Sequence, residues 1–481
     1  MEKEFSLDDY LSRQAAGQRE EKTDAEISFD AVCDMVRTAF DKEWNETDDD
    51  AKNRKLEREK KAIIGFEEET RFYKEKIREI LREKKLSECT FPPWYPDICE
   101  AVFAEIYGLA GLAPWAYDMK PEYENSSSAK LIGDRLYCLI DGRSQLQPQR
   151  IPERRRRQLK RTLLLATPRE RLEYGFHEVY LHNGIRITIY SGDRTKKGQD
   201  VMVFRKYVLK DLTFEKMAEL KTIPEAAADL FKLMVKIGFN VIFTGQVRSG
   251  KTTFLQTWQR YEDPMLEGIA IATDPETPWH VIMPNAPLMQ ITADGTQLET
   301  ITKSILRGDN DYCILEEMRD GTAYDLALSM TSMGTMRSKV TIHDSSGVNI
   351  PYKMASKIRE RYGGDLNELI AQVYKNFDYV FEFCQLPSDK SRKIMSGITA
   401  FSYDPVSDEV RADRICSYDF AAERWLWKAA IDPWKRNKLP QMQEELDEMD
   451  RMLGRLSAAD PLTENTTVIP AYYHGRRAAE G

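Results

Sequence analysis

The sequence predicts an α/β fold in which helices cover a sheet, with a smaller α+β domain and N-terminal helices before it. Short apolar runs alternate with segments of helical period between residues 240 and 385, which is typical of a sheet with helices on its faces. Residues 245–252 match G-x-x-x-x-G-K-[ST] and stand between an apolar run and a helix-like segment. Before them, residues 98–210 mix strand and helix patterns, and residues 1–85 are charge-dense with apolar positions at helical spacing.

Four parts are predicted along the 481 residues. Residues 1–90 read as a charged, largely helical extension, and the prolines of Phe91-Pro92-Pro93 end that pattern because proline removes a backbone donor. An α+β domain is predicted over 91–212 and the phosphate-binding domain over 213–436. The tail, 437–481, is predicted to be helical and then flexible.

Composition limits the function classes. The chain has 70 Lys and Arg against 79 Asp and Glu, a formal net charge of −9, so DNA is not expected as a direct ligand. The acidic start, Met1-Glu2-Lys3-Glu4, does not fit a signal peptide, and no apolar run approaches the roughly 18 residues of a membrane span, which predicts a cytoplasmic protein. Seven scattered cysteines without C-x-x-C spacing, and five histidines without ligand-like pairing, do not support a zinc site.

The elements follow from local patterns in chain order. Upstream, the sequence predicts a helix over 98–112 that ends near Gly108 or Gly111, and strands within 131–140 joined by a tight turn at Asp141-Gly142. A basic helix is predicted near 152–161, an alternating strand over 179–189 and a second strand over 201–208. Helices are predicted over 215–220 and 226–237. The alternating region predicts strands at 240–244, 268–272, 288–292, 312–315, 339–342 and 379–385. Helices there are predicted at 253–260, 298–306, 322–333, 348–361 and 366–377, with an acidic one at 441–456.

The loop after the first of those strands predicts a nucleotide site with ATP and Mg²⁺ as cofactors. Its backbone N–H groups and the following helix N-terminus suit phosphate, Lys251 is placed to reach the β and γ phosphates, and the Thr252 hydroxyl to ligate Mg²⁺. The predicted cofactor-binding residues here are Gly245, Gln246, Val247, Arg248, Ser249, Gly250, Lys251, Thr252 and Thr253.

Hydrolysis needs a carboxylate at a strand end facing the loop. Residues 312–315 supply the strand, with Glu316 and Glu317 after it. Adjacent strand residues point to opposite faces, so one of the two addresses the nucleotide, and Glu317 is the predicted catalytic residue and the Mg²⁺ ligand through water. Asp274 follows the strand 268–272 as a second predicted catalytic carboxylate. His343 ends another strand and is predicted to sense the γ-phosphate, although a structural histidine stays open.

The order of these motifs resembles the secretion traffic ATPases. Residues 245–253 look like their Walker A motif, 271–276 their aspartate box, 306–320 their Walker B motif and 334–343 their histidine box. The resemblance implies a RecA-like P-loop NTPase core in a homohexameric motor ATPase of a secretion, pilus-assembly or conjugation apparatus. Inner-membrane platform proteins would be its partners, at the cytoplasmic face of the membrane.

Further arginines take roles from the same resemblance. Arg186 and Arg205 match the family's N-terminal arginine segments, which bring positive charge onto nucleotide phosphates when two domains close. Arg307 and Arg319 are candidate contacts at subunit boundaries, and the basic helix near 154–161 is a candidate docking face.

The sequence departs from the family pattern at three positions. Thr273 stands where a glutamate precedes the box aspartate, Thr335 where a histidine follows Gly334, and Glu316 where the Walker B motif has glycine. These departures predict weak turnover and leave a degenerate nucleotide-binding scaffold as the alternative. A DNA-translocating helicase would share the motor core, but the net charge and the order of the boxes argue against it.

Overall fold

The chain divides into two compact units, Met1–Val208 and Leu209–Gly481. The computed structural model describes residues 27–43, 49–166, 175–208, 212–273, 277–293, 295–429, 431–463, 467–468, 470 and 473. Within these ranges, no helix combines the length and the apolar character that crossing a membrane requires. The division into four parts predicted above stays a prediction.

The first unit combines helices with an antiparallel sheet. Its helices are α1 Phe29–Glu43, α2 Asp49–Ile64, α3 Glu67–Glu83, α4 Ile98–Ile106, α5 Ala113–Ala116, α6 Pro121–Glu124 and α7 Glu153–Ala166. Its strands are β1 Ser128–Ile132, β2 Arg135–Ile140, β3 Arg143–Arg150, β4 Phe176–Tyr180, β5 Arg186–Tyr190 and β6 Val201–Arg205. Among the described residues, these strands form one sheet in the order β3-β2-β1-β6-β5-β4, antiparallel at every pairing.

The second unit contains the phosphate-binding loop. Its helices are α8 Phe214–Glu219, α9 Ala228–Ile237, α10 Lys251–Arg260, α11 Trp279–Ile282, α12 Gly295–Ile305, α13 Gly321–Ser332, α14 Ile350–Tyr362, α15 Leu366–Asn376, α16 Pro433–Lys438 and α17 Gln443–Ala459. Its strands are β7 Val241–Gly245, β8 Gly268–Ala272, β9 Leu288–Thr292, β10 Tyr312–Met318, β11 Lys339–Ile342, β12 Tyr379–Gln385, β13 Lys393–Asp404, β14 Glu409–Asp419, β15 Arg424–Trp427 and β16 Thr467–Val468.

The strand order of the second unit decides which loops meet. Parallel strands run in the order β12-β7-β11-β10-β8-β9, and β13, β14 and β15 extend this sheet with antiparallel pairings. All carboxyl ends of the parallel strands share one edge, where α/β sheets place their ligands. Because β11 lies between β7 and β10, the residue after β11 emerges between the phosphate-binding loop and Glu317.

Both faces of this sheet are buried, which explains why its strands read as apolar runs. On β10, Tyr312 and Ile314 join one hydrophobic cluster, and Cys313 and Leu315 join the other. The first cluster includes α10, whose Phe254 packs its ring 5.5 Å from that of Phe243 on β7. The helix that follows the loop, α10, therefore packs on the sheet face that carries the Ile314 side chain.

A buried ion cluster joins the end of α10 to the start of β11, on the side of the sheet away from the phosphate-binding loop. Glu262, which follows α10, accepts hydrogen bonds from Arg337 and from Lys339 Nζ at 2.5 Å, and Lys339 begins β11. The side chains of Glu262 and Lys339 are 1% and 0% exposed. Burial lowers the pKa of Lys339, and the Glu262 charge opposes that shift. The cluster therefore sets the position of α10 relative to β11.

Most predicted elements are present, with ends shifted by a few residues. The strands at 268–272, 288–292, 339–342 and 379–385 have the predicted bounds. The predicted turn at Asp141 and Gly142 is confirmed, with φ of 49° and 74°. The helix predicted over 98–112 was wrong at its end, because α4 stops at Ile106 and a separate 3₁₀ turn covers Ala110–Leu112. The antiparallel extension β13–β15 was missed, since those strands carry polar residues on a partly exposed face.

We predict that Glu262→Gln lowers the free energy of unfolding of the second unit by about 3–5 kcal/mol, because it leaves the buried Lys339 ammonium without its carboxylate. Urea unfolding measures the loss. The control is Glu299→Gln, which removes an ion pair with Arg361 whose two side chains are about half exposed, and it is expected to leave the free energy of unfolding close to that of wild type. A loss in Glu262→Gln no larger than in this control would contradict the prediction.

Candidate functional site

The phosphate-binding loop joins β7 to α10 through two glycines with positive φ. At Gly245, φ is 148°, and a Cβ there would lie 2.1 Å from the carbonyl oxygen of Phe383. Gly250 has φ of 96° and is the N-cap of α10, where the described residues make no side-chain capping hydrogen bond. The N–H groups of the first helical turn, which includes Thr252 and Thr253, therefore suit an anion.

Arg248 departs from the usual conformation of a non-glycine residue. It has φ of 65° in the middle of the loop, and its side chain is exposed. Left-handed backbone costs an L-residue roughly 1–2 kcal/mol. Such strain is tolerated where the surrounding structure imposes it, which is common at ligand sites.

Lys251 lies inside the curve of the loop. Its side-chain ammonium donates hydrogen bonds to the carbonyl oxygens of Gly245 at 2.9 Å and Gln246 at 2.8 Å, and the residue is buried. Burial lowers the pKa of Lys251 to about 8, while the nearby Glu317 charge raises it. The lysine is thus a buried cation with loop carbonyls as acceptors, and phosphate oxygens would be stronger acceptors for it.

His343 connects the loop to the end of β10. Its Nδ1 lies 3.3 Å from Lys251 Nζ, and its Nε2 lies 3.7 Å from Glu317 Oε1. An ammonium only donates, so Nδ1 acts as acceptor and the ring proton belongs on Nε2, facing the carboxylate. The two ring nitrogens of His343 therefore meet different groups: Nδ1 contacts the Lys251 ammonium, and Nε2 faces the Glu317 carboxylate.

Glu317 occupies an irregularity at the end of β10. Its φ is 54°, and the register of β10 against β11 shifts between Leu315 and Met318. The Glu317 N–H donates to Thr341 Oγ1 at 2.6 Å, and its carboxylate pairs with Arg319. Interaction with the His343 ring, followed by the Arg319 charge, lowers the pKa of Glu317 to about 2 against the effect of burial. The carboxylate is thus ionised at neutral pH.

The two adjacent glutamates separate as strand alternation predicts. Glu316 lies on the face of Ile314 and is buried. Its Oε2 accepts a hydrogen bond from Thr277 Oγ1 at 2.6 Å, and its Oε1 accepts one from Trp279 Nε1 at 2.8 Å. Glu317, and not Glu316, faces the loop lysine.

Other predicted residues fall elsewhere or outside the described ranges. Arg186 and Arg205 belong to the first unit, where they pair directly across β5 and β6, so both project from the same face of that sheet. Arg186 donates to Glu178 Oε1 at 2.6 Å. Arg307 is exposed in the second unit. Asp274 lies outside the described residues, so its predicted catalytic role stays a prediction.

The loop fits a nucleotide phosphate on independent grounds. Ser249 Oγ is buried and, among the described residues, has no hydrogen-bond partner. This orphaned hydroxyl, the uncapped helix and the Lys251 ammonium together offer donors to one small anion. In the described part of the chain, no three His, Cys, Asp or Glu side chains form a group that could hold a metal ion.

Several residues that shape this site were not predicted. Thr341 and Thr277 hold the two glutamates, and Lys353 of α14 donates to the His343 carbonyl. Threonines inside apolar strands and a lysine on a helix are common, so local pattern gave no reason to select them. Spacing along the chain does not reveal which of them meet across the sheet.

Comparisons with known proteins agree with the motif order. A family model described as type II/IV secretion system protein matches residues 195–372. No curated protein matches the chain. Solved structures similar to it include the VirB11 ATPase from the Brucella suis type IV secretion system in complex with sulphate, at 18% identity over 60% of this chain and 92% of that chain with a TM-score of 0.33.

Two further solved structures are similar to the chain. One is the Legionella pneumophila ATPase DotB, at 13% identity over 69% of this chain and 85% of that chain, TM-score 0.42. The other is the pilus retraction motor PilT with bound ADP, at 14% identity over 70% of this chain and 90% of that chain, TM-score 0.42.

The order of motifs predicted a resemblance to the secretion traffic ATPases, and the match of residues 195–372 to a type II/IV secretion system protein family model confirms that resemblance.

Proposed function

We propose that this protein is the ATP-hydrolysing motor of a type II or type IV-like secretion, pilus-assembly or conjugation apparatus. The observation that carries the proposal is the array of Lys251, His343 and Glu317 at one edge of the parallel sheet. A cation that neutralises phosphate charge and an ionised carboxylate that orients water are groups that phosphoryl transfer to water uses.

The chemistry follows from the positions of these groups. The loop N–H groups and Lys251 hold the β and γ phosphates of ATP, and Mg²⁺, when bound beside Thr252, neutralises phosphate charge. Glu317 orients a water molecule and accepts its proton as the oxygen attacks the γ-phosphorus, which gives ADP and phosphate. His343 lies where loss of the γ-phosphate changes the charge around Lys251, so it is placed to transmit hydrolysis to β11.

Coupling to the apparatus is the finer part of the proposal. Arg186 and Arg205 would bring positive charge to the nucleotide as the first unit closes on the second, in the same subunit or its neighbour in a homohexamer. Asp274 would add a second carboxylate, and Arg307 and Arg319 would contact a neighbouring subunit. The protein would act in the cytoplasm, bound to inner-membrane platform proteins, with α7 as a candidate docking face.

A nucleotide-binding scaffold with little turnover is the second candidate. Glu317 is paired with Arg319, and Thr273 and Thr335 replace groups that the family uses. Under this alternative, ATP binding orders the assembly and hydrolysis is slow. Turnover measurements distinguish the two candidates.

We predict that Lys251→Ala weakens MgATP binding at least about tenfold, because the phosphates lose their buried cation. Glu317→Gln is expected to keep binding and to lower kcat by roughly 10²–10³-fold, since an amide cannot accept the proton of the attacking water. Phosphate release and binding of a fluorescent ATP analogue measure the two effects.

The exposed residues Lys303 and Glu444 supply matched controls, and Lys303→Ala and Glu444→Gln should behave as wild type. Equal turnover in wild type, Lys251→Ala and Glu317→Gln would overturn the motor proposal. Tight ATP binding by wild type with turnover no faster than that of Glu317→Gln would select the scaffold.

The pKa of Lys251 predicts a pH dependence of binding. Burial lowers this pKa to about 8, so the ammonium is present below about pH 8 and is lost as pH rises through that value. The apparent affinity of the free protein for ATP should therefore fall between about pH 7.5 and 9.5, by up to about tenfold per pH unit. Lys251→Ala has no such group and should show a flat profile over this range, whereas equal slopes in both proteins would contradict the assignment.

A further inference from the structure

Glu316 is a buried carboxylate that the proposed chemistry does not use. It stands at the end of β10, directly before Glu317, on the sheet face that carries α10. Two neutral donors, Thr277 Oγ1 and Trp279 Nε1, bond to its two oxygens. Burying a carboxylate is unfavourable unless its hydrogen bonds are made, so these two contacts hold both Thr277 and Trp279 in place.

Thr277 extends this contact to two further elements. Its Oγ1 accepts a hydrogen bond from Gln256 Nε2 at 3.2 Å, and Gln256 lies on α10. Its carbonyl oxygen accepts one from Gln290 Nε2 of β9 at 2.6 Å. Glu316, Thr277 and Gln256 are buried, and Gln290 is exposed. A continuous chain of hydrogen bonds therefore links the helix that follows the phosphate-binding loop to the residue before Glu317.

The backbone of Glu317 needs such an anchor. With φ of 54° it occupies the left-handed region, which costs a glutamate roughly 1–2 kcal/mol, and it lies where β10 loses its register with β11. On one side, its N–H bonds to Thr341 Oγ1. On the other side, the preceding residue is Glu316. It is held by the hydrogen bonds of its own carboxylate and by strand pairing with Ala272 of β8.

We infer that Glu316 is a positioning residue that holds the Glu317 backbone in its left-handed conformation and couples it, through Thr277 and Gln256, to α10. The inference rests on the proposed function. It explains how this chain, with a glutamate where the family motif has glycine, keeps the next carboxylate directed at the loop. Glu316 acts through Glu317 and does not touch the nucleotide.

The test is a double-mutant cycle between Glu316→Gln and Glu317→Gln, with kcat, the Kd of a fluorescent ATP analogue and the Tm measured for each protein. Glu316→Gln keeps the size of the side chain but leaves only one acceptor oxygen for two donors. Its expected effect is a fall in kcat of about tenfold or more with Kd within about twofold of wild type. In the Glu317→Gln background the same change should lower kcat no further, because the group that it positions is already lost.

Thr277→Val tests the same chain of contacts, because it removes the hydroxyl that joins Glu316 to Gln256. It should lower kcat to a similar extent as Glu316→Gln, and the two changes together should lower kcat by less than the product of their separate effects.

Asp378→Asn is the matched control for Glu316→Gln. Asp378 is also a buried carboxylate of this unit, and it accepts the Asn240 N–H at 3.0 Å, at the opposite edge of the sheet. It should lower the Tm and leave kcat unchanged below the unfolding transition.

Two results overturn the inference. One is an unchanged kcat in Glu316→Gln while wild type hydrolyses ATP, which leaves the proposed function intact. The other is a loss of kcat that multiplies fully with that of Glu317→Gln, which would indicate a general structural effect. Equal turnover of wild type and Lys251→Ala would instead remove the proposed function, and this inference with it.

Discussion

The parallel pairing of β11 between β7 and β10 is the constraint on which the site depends. These three strands are adjacent in the sheet but far apart in the chain, and their carboxyl ends carry the phosphate-binding loop, His343 and Glu317. Strands about 4.8 Å apart leave room for one side chain between the outer two, and an imidazole spans that gap. The histidine contacts both neighbours because the strand order places it there.

Buried polar contacts at both ends of the parallel strands hold the elements that form the site. At the amino edge, Glu262 links the end of α10 to the start of β11 through Lys339. At the carboxyl edge, Glu316 and Thr277 link α10 to the end of β10. Because an unpaired buried charge is costly, each contact favours a single arrangement of these elements. Conformational change in response to nucleotide would then move β10, β11 and α10 together.

The site combines a buried cation, Lys251, with an ionised carboxylate, Glu317. Among the described residues, the Lys251 ammonium contacts loop carbonyls and an imidazole, and burial lowers its pKa. Interactions with His343 and Arg319 lower the pKa of Glu317, which is ionised at neutral pH. The arriving triphosphate would supply Lys251 with the negative charge that burial denies it. The ion pair between Glu317 and Arg319 bears on both candidate functions. While the pair is formed, Arg319 occupies the carboxylate; separation of the pair would free the carboxylate to bind water.

The sequence by itself determined the loop, the strands around it, the resemblance to a family and the pair of glutamates that includes Glu317, because glycine spacing, apolar runs and period-2 alternation are local properties. Tertiary structure alone decided that β11 enters between β7 and β10, that Thr277 and Trp279 meet Glu316, and that Lys339 meets Glu262. The physical reason is that strand order and buried hydrogen bonds arise from contacts between residues far apart in the chain. Thr244 and Asp344, for example, are hydrogen-bonded but 100 positions apart, and no local sequence period relates them.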